Sequence, residues 1–320
     1  MKDTLPDLPA QWDDPDDVPP RRAAAGAPPA DPWAALRRHT PARISLGRAG
    51  TSLPTAEVLR FAGAHAQARD AVHLPLDVDA LAADLHARGH AAVHVRSRAA
   101  TRTEYLTRPD LGRLLDDDSR ASLERVAQEG IAVDLTLDID PDPDAEADTA
   151  PGALDGIAPE TTLCVVVGDG LSAIAGQSHA TALVDALQAA LDAGAGERVA
   201  IGLVVIATQA RVALGDDIGA LLQAPLVLML LGERPGLSSP DSLGAYLTWD
   251  PRPGRADSER NCVSNIRPDG LALDAAAGRI AWLVRESLRR RVTGIALKDD
   301  SDVAALGRDG DGTATLSDVG

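Results

Sequence analysis

The stretch Leu163–Cys164–Val165–Val166–Val167–Gly168–Asp169–Gly170–Leu171–Ser172 decides the fold. An unbroken apolar run, a Gly-Asp-Gly turn and a serine read as a buried strand that hands over to a helix. The helix pattern then continues over Ser172–Ala193. Downstream the alternation repeats. Val199–Ile206 reads as a strand, Asp217–Leu222 as a shorter helix and Pro225–Leu231 as a near-continuously apolar strand. Gly244–Trp249 reads as a fourth strand. A last helix spans Asp274–Arg291, with Ala276, Ile280, Leu283, Val284 and Leu288 turned inward. Such alternation predicts an α/β fold with a doubly wound, mostly parallel, Rossmann-like sheet.

Upstream of the deciding stretch the pattern is mainly helical. Thr55–His73 carries Val58, Leu59, Ala62 and Ala66 on one face, and Pro54 suits a helix start. Asp79–Arg88 reads as a helix stopped by Gly89, Ala91–Val95 as a strand, Leu111–Gln128 as a helix and Ile131–Leu137 as extended chain. A smaller, mainly helical N-terminal region over 31–130 therefore precedes an α/β domain over 131–298. The segments 1–30 and 299–320, and the loop 138–159, are acidic and rich in Pro, Gly or Ser. They lack the apolar area that offsets chain entropy, so they are expected to be disordered tails and a surface loop. Asp309, Asp311 and Gly312 share positions with a calcium loop, but the closing Glu is missing.

Composition excludes several classes. The chain has 320 residues, with 31 basic against 48 acidic ones and a net charge of −17. That balance argues against nucleic acid and against an anionic membrane surface. Two cysteines make neither a disulfide framework nor a four-cysteine zinc site. Met1–Ala10 is polar and Pro-broken, unlike a secretory leader, and Pro225–Leu231 is too short to span a bilayer. A cytoplasmic protein is expected. With aromatics at 2 %, its core must be Ala, Leu, Val and Ile.

Four constellations could carry chemistry. The Gly168–Gly170 turn could cradle a phosphate at a helix start, but it lacks the Lys of a Walker loop and the third Gly of a dinucleotide fingerprint. Gly232–Glu233–Arg234–Pro235–Gly236 follows the third strand, at the sheet edge where such folds bind ligands. Cys262 lies in the polar run Glu259–Ile266 between two Gly/Pro-rich turns, and no histidine is near it in sequence. Cys164 belongs to a strand core. His86, His90 and His94 recur every four residues, but Gly89 breaks the helix between them. Asp84-x-His86-x-x-Gly89 matches the cobalt-ligating motif of a class of cobalamin-binding domains. It ends a helix instead of following a strand, and the chain has no Gly-Gly pair, so the match reads as accidental.

A series of short runs, in order, gives a more specific signal. Asp31–Pro32–Trp33, Gly47–Thr55, Ala68–Val72, Tyr105–Leu106 and Arg108–Arg113 form its first half. Asp169–Ala173, Arg211–Asp216, Gly232–Leu237 and Asn261–Arg267 form its second. From Asp31 to Lys298 the chain resembles the small subunit of ethanolamine ammonia-lyase, an adenosylcobalamin-dependent enzyme that turns ethanolamine into acetaldehyde and ammonia. The resemblance implies a hetero-oligomer whose large subunit is a barrel holding substrate and radical chemistry. The small subunit closes over the cobalamin from the other side, with corrin contacts at Val212, Glu233 and Cys262. The misplaced Asp84–Gly89 motif and the missing Gly-Gly pair predict a base-on cofactor whose cobalt this chain does not ligate, and the lack of an acid, base or nucleophile constellation predicts no catalytic residue and an isolated chain without activity. The resemblance also leaves open residence in a bacterial microcompartment. Thr208–Gln209–Ala210 departs from the family pattern, which has glycine before Arg211, and Ala there is expected to stiffen the turn. Two other readings stand beside this one. They are a stand-alone nucleotide- or phosphate-binding enzyme using the Gly168–Gly170 turn, and an assembly factor with a decayed site.

Overall fold

Apolar strands stacked side by side organise the molecule. The structure is a computed structural model describing residues 33–37, 39–40, 42–48, 51–129, 161–194 and 198–301. The expected coil at 1–30 and 138–159, the extended run Ile131–Leu137 and all of the C-terminal tail beyond residue 301 lie outside the described residues. The chain divides into two units, 1–57 and 58–320. In the first, α1 (Ala34–Arg37) leads into non-helical chain, where the Thr40 hydroxyl accepts from the Ala42 N–H. Helix α2 (Thr55–His73) begins at its end.

The second unit holds a six-stranded sheet. Its strands are β1 (Ala92–Arg96), β2 (Thr161–Gly168), β3 (Val199–Thr208), β4 (Leu226–Gly232), β5 (Leu243–Trp249) and β6 (Arg260–Ile266). Their order across the sheet is β1-β3-β2-β4-β5-β6. The first four run parallel, and β5 and β6 run antiparallel. The α/β class is therefore as expected, but the sheet is mixed. The reason is loop length: ten residues each separate β4 from β5 and β5 from β6. That is too short for the crossover a parallel strand requires. The segment before residue 130 contributes β1, which pairs with β3 along its whole length.

Helices cover both faces. On one, α3 (Val78–Ala87), α6 (Ala173–Asp192) and α8 (Leu273–Arg290) pack Leu85, Leu183, Leu187, Ile280 and Val284 over Leu163, Val165, Val167, Leu228 and Leu230. On the other, α5 (Asp117–Glu129) and α7 (Leu214–Leu221) pack Leu123, Leu214 and Ile218 over Val166, Val205, Val227 and Met229. Alternate residues of each strand thus serve opposite cores, which is why β2 and β4 read as unbroken apolar runs. Cys164 belongs to the second core, and burial pushes its thiol up to about 12.

One local reading changes, and two elements are added. Leu111–Gln128 is not one helix: a 3-10 turn at Leu111–Arg113 gives way to extended chain at Leu114, and α5 starts at Asp117. Asp116 explains the restart, because its carboxylate accepts from the Ser119 N–H at 2.8 Å and so caps the new helix. A short helix α4 (Arg102–Thr107), capped by Thr101, was not legible. The polar run around Cys262, between its two Gly/Pro-rich turns, forms the edge strand β6. Helix α2 has the predicted bounds, yet Val58 is 50 % and Leu59 66 % exposed, and Ala71 is its one buried residue. Among the described residues no helix is long and apolar enough to cross a membrane.

Candidate functional site

The turn after β2 comes where the chain's connections diverge: β2 leads through α6 to β3 on one side, and α7 leads to β4 on the other. In open sheets a ligand crevice is expected there, but in this chain protein fills it. Gly170 has φ +54°, and a Cβ on it would lie 2.3 Å from the Gly232 carbonyl oxygen. The Leu171 N–H donates to that same oxygen at 2.8 Å. Asp169, 3 % exposed, accepts from the N–H groups of Gln209 and Ala210, each at 2.9 Å, and from Arg102 Nη1 at 3.2 Å. Burial raises its carboxyl pKa while these donors pull it down. The turn is a clamp on the loop after β3, not a phosphate cradle.

That loop carries Val212, and most of its backbone groups just before this residue are satisfied. The Ser97 hydroxyl donates to the Gln209 carbonyl at 2.7 Å, and the Tyr105 hydroxyl to the Ala210 carbonyl at 3.1 Å. The Arg211 N–H donates to the Gly112 carbonyl at 2.9 Å. Tyr105 is buried, which, with the Asp169 charge, pushes its phenol up to about 12. The left-handed residue of the turn is Gln209, at φ +56°, whereas Ala210 keeps an ordinary φ. Alanine therefore costs nothing at position 210 in backbone strain, and its methyl group is fully buried.

Val212 and Cys262, fifty residues apart, line one open cavity of about 330 Å³. Ala213 and Tyr246 complete its apolar wall, and Arg113, Arg211, Asp257 and Arg260 supply the charge. Cys262 pairs across β6 and β5 with Tyr246. Solvent reaches Cys262, yet the protein around its thiol, together with the Glu233 charge, raises its pKa. It is a thiol at neutral pH, and among the described residues no histidine lines the cavity. That arrangement does not make a nucleophile. Arg260 forms a buried ion pair with Asp216: its Nη2 lies 2.7 Å from Oδ2, and Nη1 also donates to the Thr248 hydroxyl at 2.9 Å. Both side chains of the pair are 2 % exposed.

Glu233 stands just past β4, beside the cavity but not in its lining. Its Oε2 accepts from the Ser242 hydroxyl at 2.6 Å and the Asn265 N–H at 3.2 Å. Its Oε1 accepts from the Ser264 hydroxyl at 2.6 Å. One carboxylate thereby ties the ends of β4 and β6 and the start of β5, and Oε1 keeps a lone pair for a further donor. Its charge contributes, after burial, to raising the pKa of Tyr246 as well as that of Cys262. The residues fit a large amide-rimmed ligand: an apolar wall, a half-buried acceptor and a cationic rim.

The histidines lie elsewhere. His90 meets Asp185 at 3.1 Å and His94 meets Thr208 at 3.1 Å. His86 is on α3, whose buried residues pack on the opposite face of the sheet from Val212 and Tyr246. Among the described residues no three metal-ligating side chains come together. Sequence reasoning missed Tyr246, Arg113 and Arg211 as cavity residues, and Ser242 and Ser264 as partners of Glu233. The one available signal was that Arg113, Arg211 and Ser264 fall inside the matching runs.

Fold and cavity together define a class: an α/β protein with an open cavity of mixed apolar and cationic wall and, among the described residues, no nucleophile–base pair in that wall. The comparisons make it specific. The family model for the ethanolamine ammonia-lyase light chain (EutC) matches residues 30–138 and 145–298. An ethanolamine ammonia-lyase small subunit from Bradyrhizobium diazoefficiens is 52 % identical over 275 residues, covering 86 % of this chain and 93 % of that one. One from Rhodopseudomonas palustris is 51 % identical over 271 residues, covering 84 % and 91 %. One from Xanthomonas campestris pv. campestris is 47 % identical over 283 residues, covering 88 % and 93 %. The chain belongs to the ethanolamine ammonia-lyase light-chain family.

Proposed function

We propose that this chain is the small subunit of an adenosylcobalamin-dependent ethanolamine ammonia-lyase, assembled with a large subunit and operating in the cytoplasm. The complex converts ethanolamine to acetaldehyde and ammonia. This chain contributes a wall for the corrin at Val212, Glu233 and Cys262 and no catalytic residue. The observation that carries the reading is the meeting of Val212 and Cys262 in one cavity, with Glu233 beside it, in a chain of this family. When bound, the cofactor supplies the radical chemistry of the deamination. The chain's own residues bind and orient. Val212 and the cavity face of Cys262 offer apolar contact, and Glu233 Oε1 accepts a hydrogen bond from a corrin side-chain amide. The clamp of Asp169, Ser97 and Tyr105 keeps the Val212 loop in place before binding, so little ordering entropy is lost on binding. His86 is on α3, across the sheet from Val212 and Tyr246, and would take no part in holding the cofactor there. The exposed apolar residues Val58 and Leu59 of α2 support burial against the large subunit.

Co-expression with a large subunit, followed by gel filtration and absorption spectroscopy, tests the reading. The expected result is a mixed complex that retains cobalamin and deaminates ethanolamine, while the pure chain makes no acetaldehyde. A complex that assembles but never retains a corrinoid contradicts it. So does acetaldehyde production by this chain alone.

A further inference from the structure

Three of the four charged residues that line the cavity beside Val212 are arginines, Arg113, Arg211 and Arg260, and Glu233 stands beside it. Arg260 is balanced by Asp216 beneath it, and its Nε lies 3.4 Å from Asp257, the cavity's one carboxylate. Arg113 and Arg211 have no ion pair among the described residues. Arg211 stacks its guanidinium on the Tyr105 ring, 4.5 Å from the centroid, and donates to the Tyr105 carbonyl at 3.0 Å. Its Nε is buried and has no partner. Both guanidinium groups line one cavity, and a close backbone approach brings them there. A Cβ on Gly112 would sit 2.9 Å from Arg211 Cγ and 3.1 Å from the Gln209 carbonyl, so only glycine fits. That close approach lets the Gly112 carbonyl accept from the Arg211 N–H and brings the next residue, Arg113, to the same cavity. Two guanidinium groups without an ion pair offer charge-assisted donors to an anion.

We propose that Arg113 and Arg211 form an oxyanion subsite that takes a phosphodiester. Resting on the function proposed above, the subsite's ligand is the phosphodiester of the cofactor's nucleotide tail, the fixed negative group of a molecule otherwise rimmed with neutral amides. Guanidinium suits that group, because its planar donors meet two phosphate oxygens at once. Arg113 is exposed and free to close on the ligand, whereas Arg211 is pre-set by its stacking on Tyr105. The subsite thus recognises the tail of the cofactor, while Val212, Glu233 and Cys262 face its ring.

The test compares two corrinoids on the complex of this chain with its large subunit. Adenosylcobalamin has the phosphodiester, and adenosylcobinamide lacks it together with the base. Spectroscopic titration should show Arg113→Gln and Arg211→Gln weakening adenosylcobalamin binding about tenfold or more. Adenosylcobinamide binding should be unchanged, and Arg113→Lys should recover part of the loss. Arg113 is at the surface, so its variant reports even if Arg211→Gln disturbs the fold. Equal losses for both corrinoids, or no loss for adenosylcobalamin, overturn the subsite. Inorganic phosphate that competes equally against both corrinoids also overturns it. A wild-type complex that binds neither corrinoid removes the underlying function, and the subsite with it. A wild type that binds both with Arg-independent affinity removes the subsite alone.

Discussion

Replacing Glu233 separates its two roles. The carboxylate accepts three hydrogen bonds inside the protein, from Ser242, Ser264 and Asn265, and keeps one Oε1 lone pair for a further donor. In Glu233→Ala all three donors lose their acceptor. Ser264 and Asn265 are exposed and turn to water, but Ser242 is 6 % exposed and its hydroxyl is stranded. A stranded buried hydroxyl costs about 1–3 kcal/mol, and the two rehydrated bonds add a smaller loss, for a total of about 2–4 kcal/mol. Glu233→Gln behaves differently. Its carbonyl oxygen replaces Oε2 for Ser242 and Asn265, and its NH₂ donates to Ser264, whose hydroxyl accepts as readily as it donates. The local network survives, at a cost below about 1 kcal/mol. What is lost is the charge and the free lone pair, where a corrin amide would now meet another donor. Cobalamin affinity should therefore fall about five- to thirty-fold, or about 1–2 kcal/mol, in Gln, and further in Ala. Urea unfolding of the chain and cobalamin titration of the complex read the two effects separately. Wild-type affinity in Glu233→Gln refutes the cofactor role. Gln as destabilising as Ala refutes the network.

Three further outcomes follow from the clamp, the ion pair and the cap. Gly170→Ala drives a methyl group to 2.3 Å from the Gly232 carbonyl at a positive φ, so urea unfolding should show a loss of about 3 kcal/mol or more. Asp216→Asn leaves the buried Arg260 guanidinium without its counter-charge and should cost about 3–5 kcal/mol, seen as a lowered Tm. Asp116→Ala should cost about 1 kcal/mol through loss of the α5 cap. Burial opposes ionisation of Asp116, but bonds from Ser119 and Arg96 outweigh it and hold the carboxyl below its usual value. An acid held low in the folded state stabilises above the unfolded pKa, near 4, and that stabilisation is lost as pH falls below it. The stability gap between wild type and Asp116→Ala should be full at pH 6 and narrow below about pH 4.

The parts of the fold that were legible in the sequence share one property: their residues report a single environment. β2, β3 and β4 sit between two cores, so their central runs, Leu163–Val167, Leu203–Ala207 and Leu226–Leu231, are apolar throughout and declare themselves. Strand β6 reports several environments at once. It lies at the sheet edge beyond a register shift in its pairing with β5, and its buried residues are Arg260, Val263 and Ile266. A period-2 search has nothing to find there. The break between Arg113 and Asp117 was hidden because the Leu111–Leu115 spacing also suits a helix. What ends it is tertiary: the Leu115 N–H donates to Asp217 on α7, and Leu115 bridges to Ser97. The cavity was illegible from spacing alone. Its residues come from the turn before α5, the loop before α7, the antiparallel strands β5 and β6 and the turn between them, and their meeting depends on the mixed half of the sheet, which periodicity does not encode.

The central claim is that the wall at Val212, Glu233 and Cys262 faces a corrin. An electron cryomicroscopy map of this chain in complex with its large subunit and adenosylcobalamin tests it most directly. The account predicts corrin density against the Val212 and Cys262 side of the cavity, with an amide arm on Glu233 Oε1. Corrin density that touches none of the three residues contradicts it.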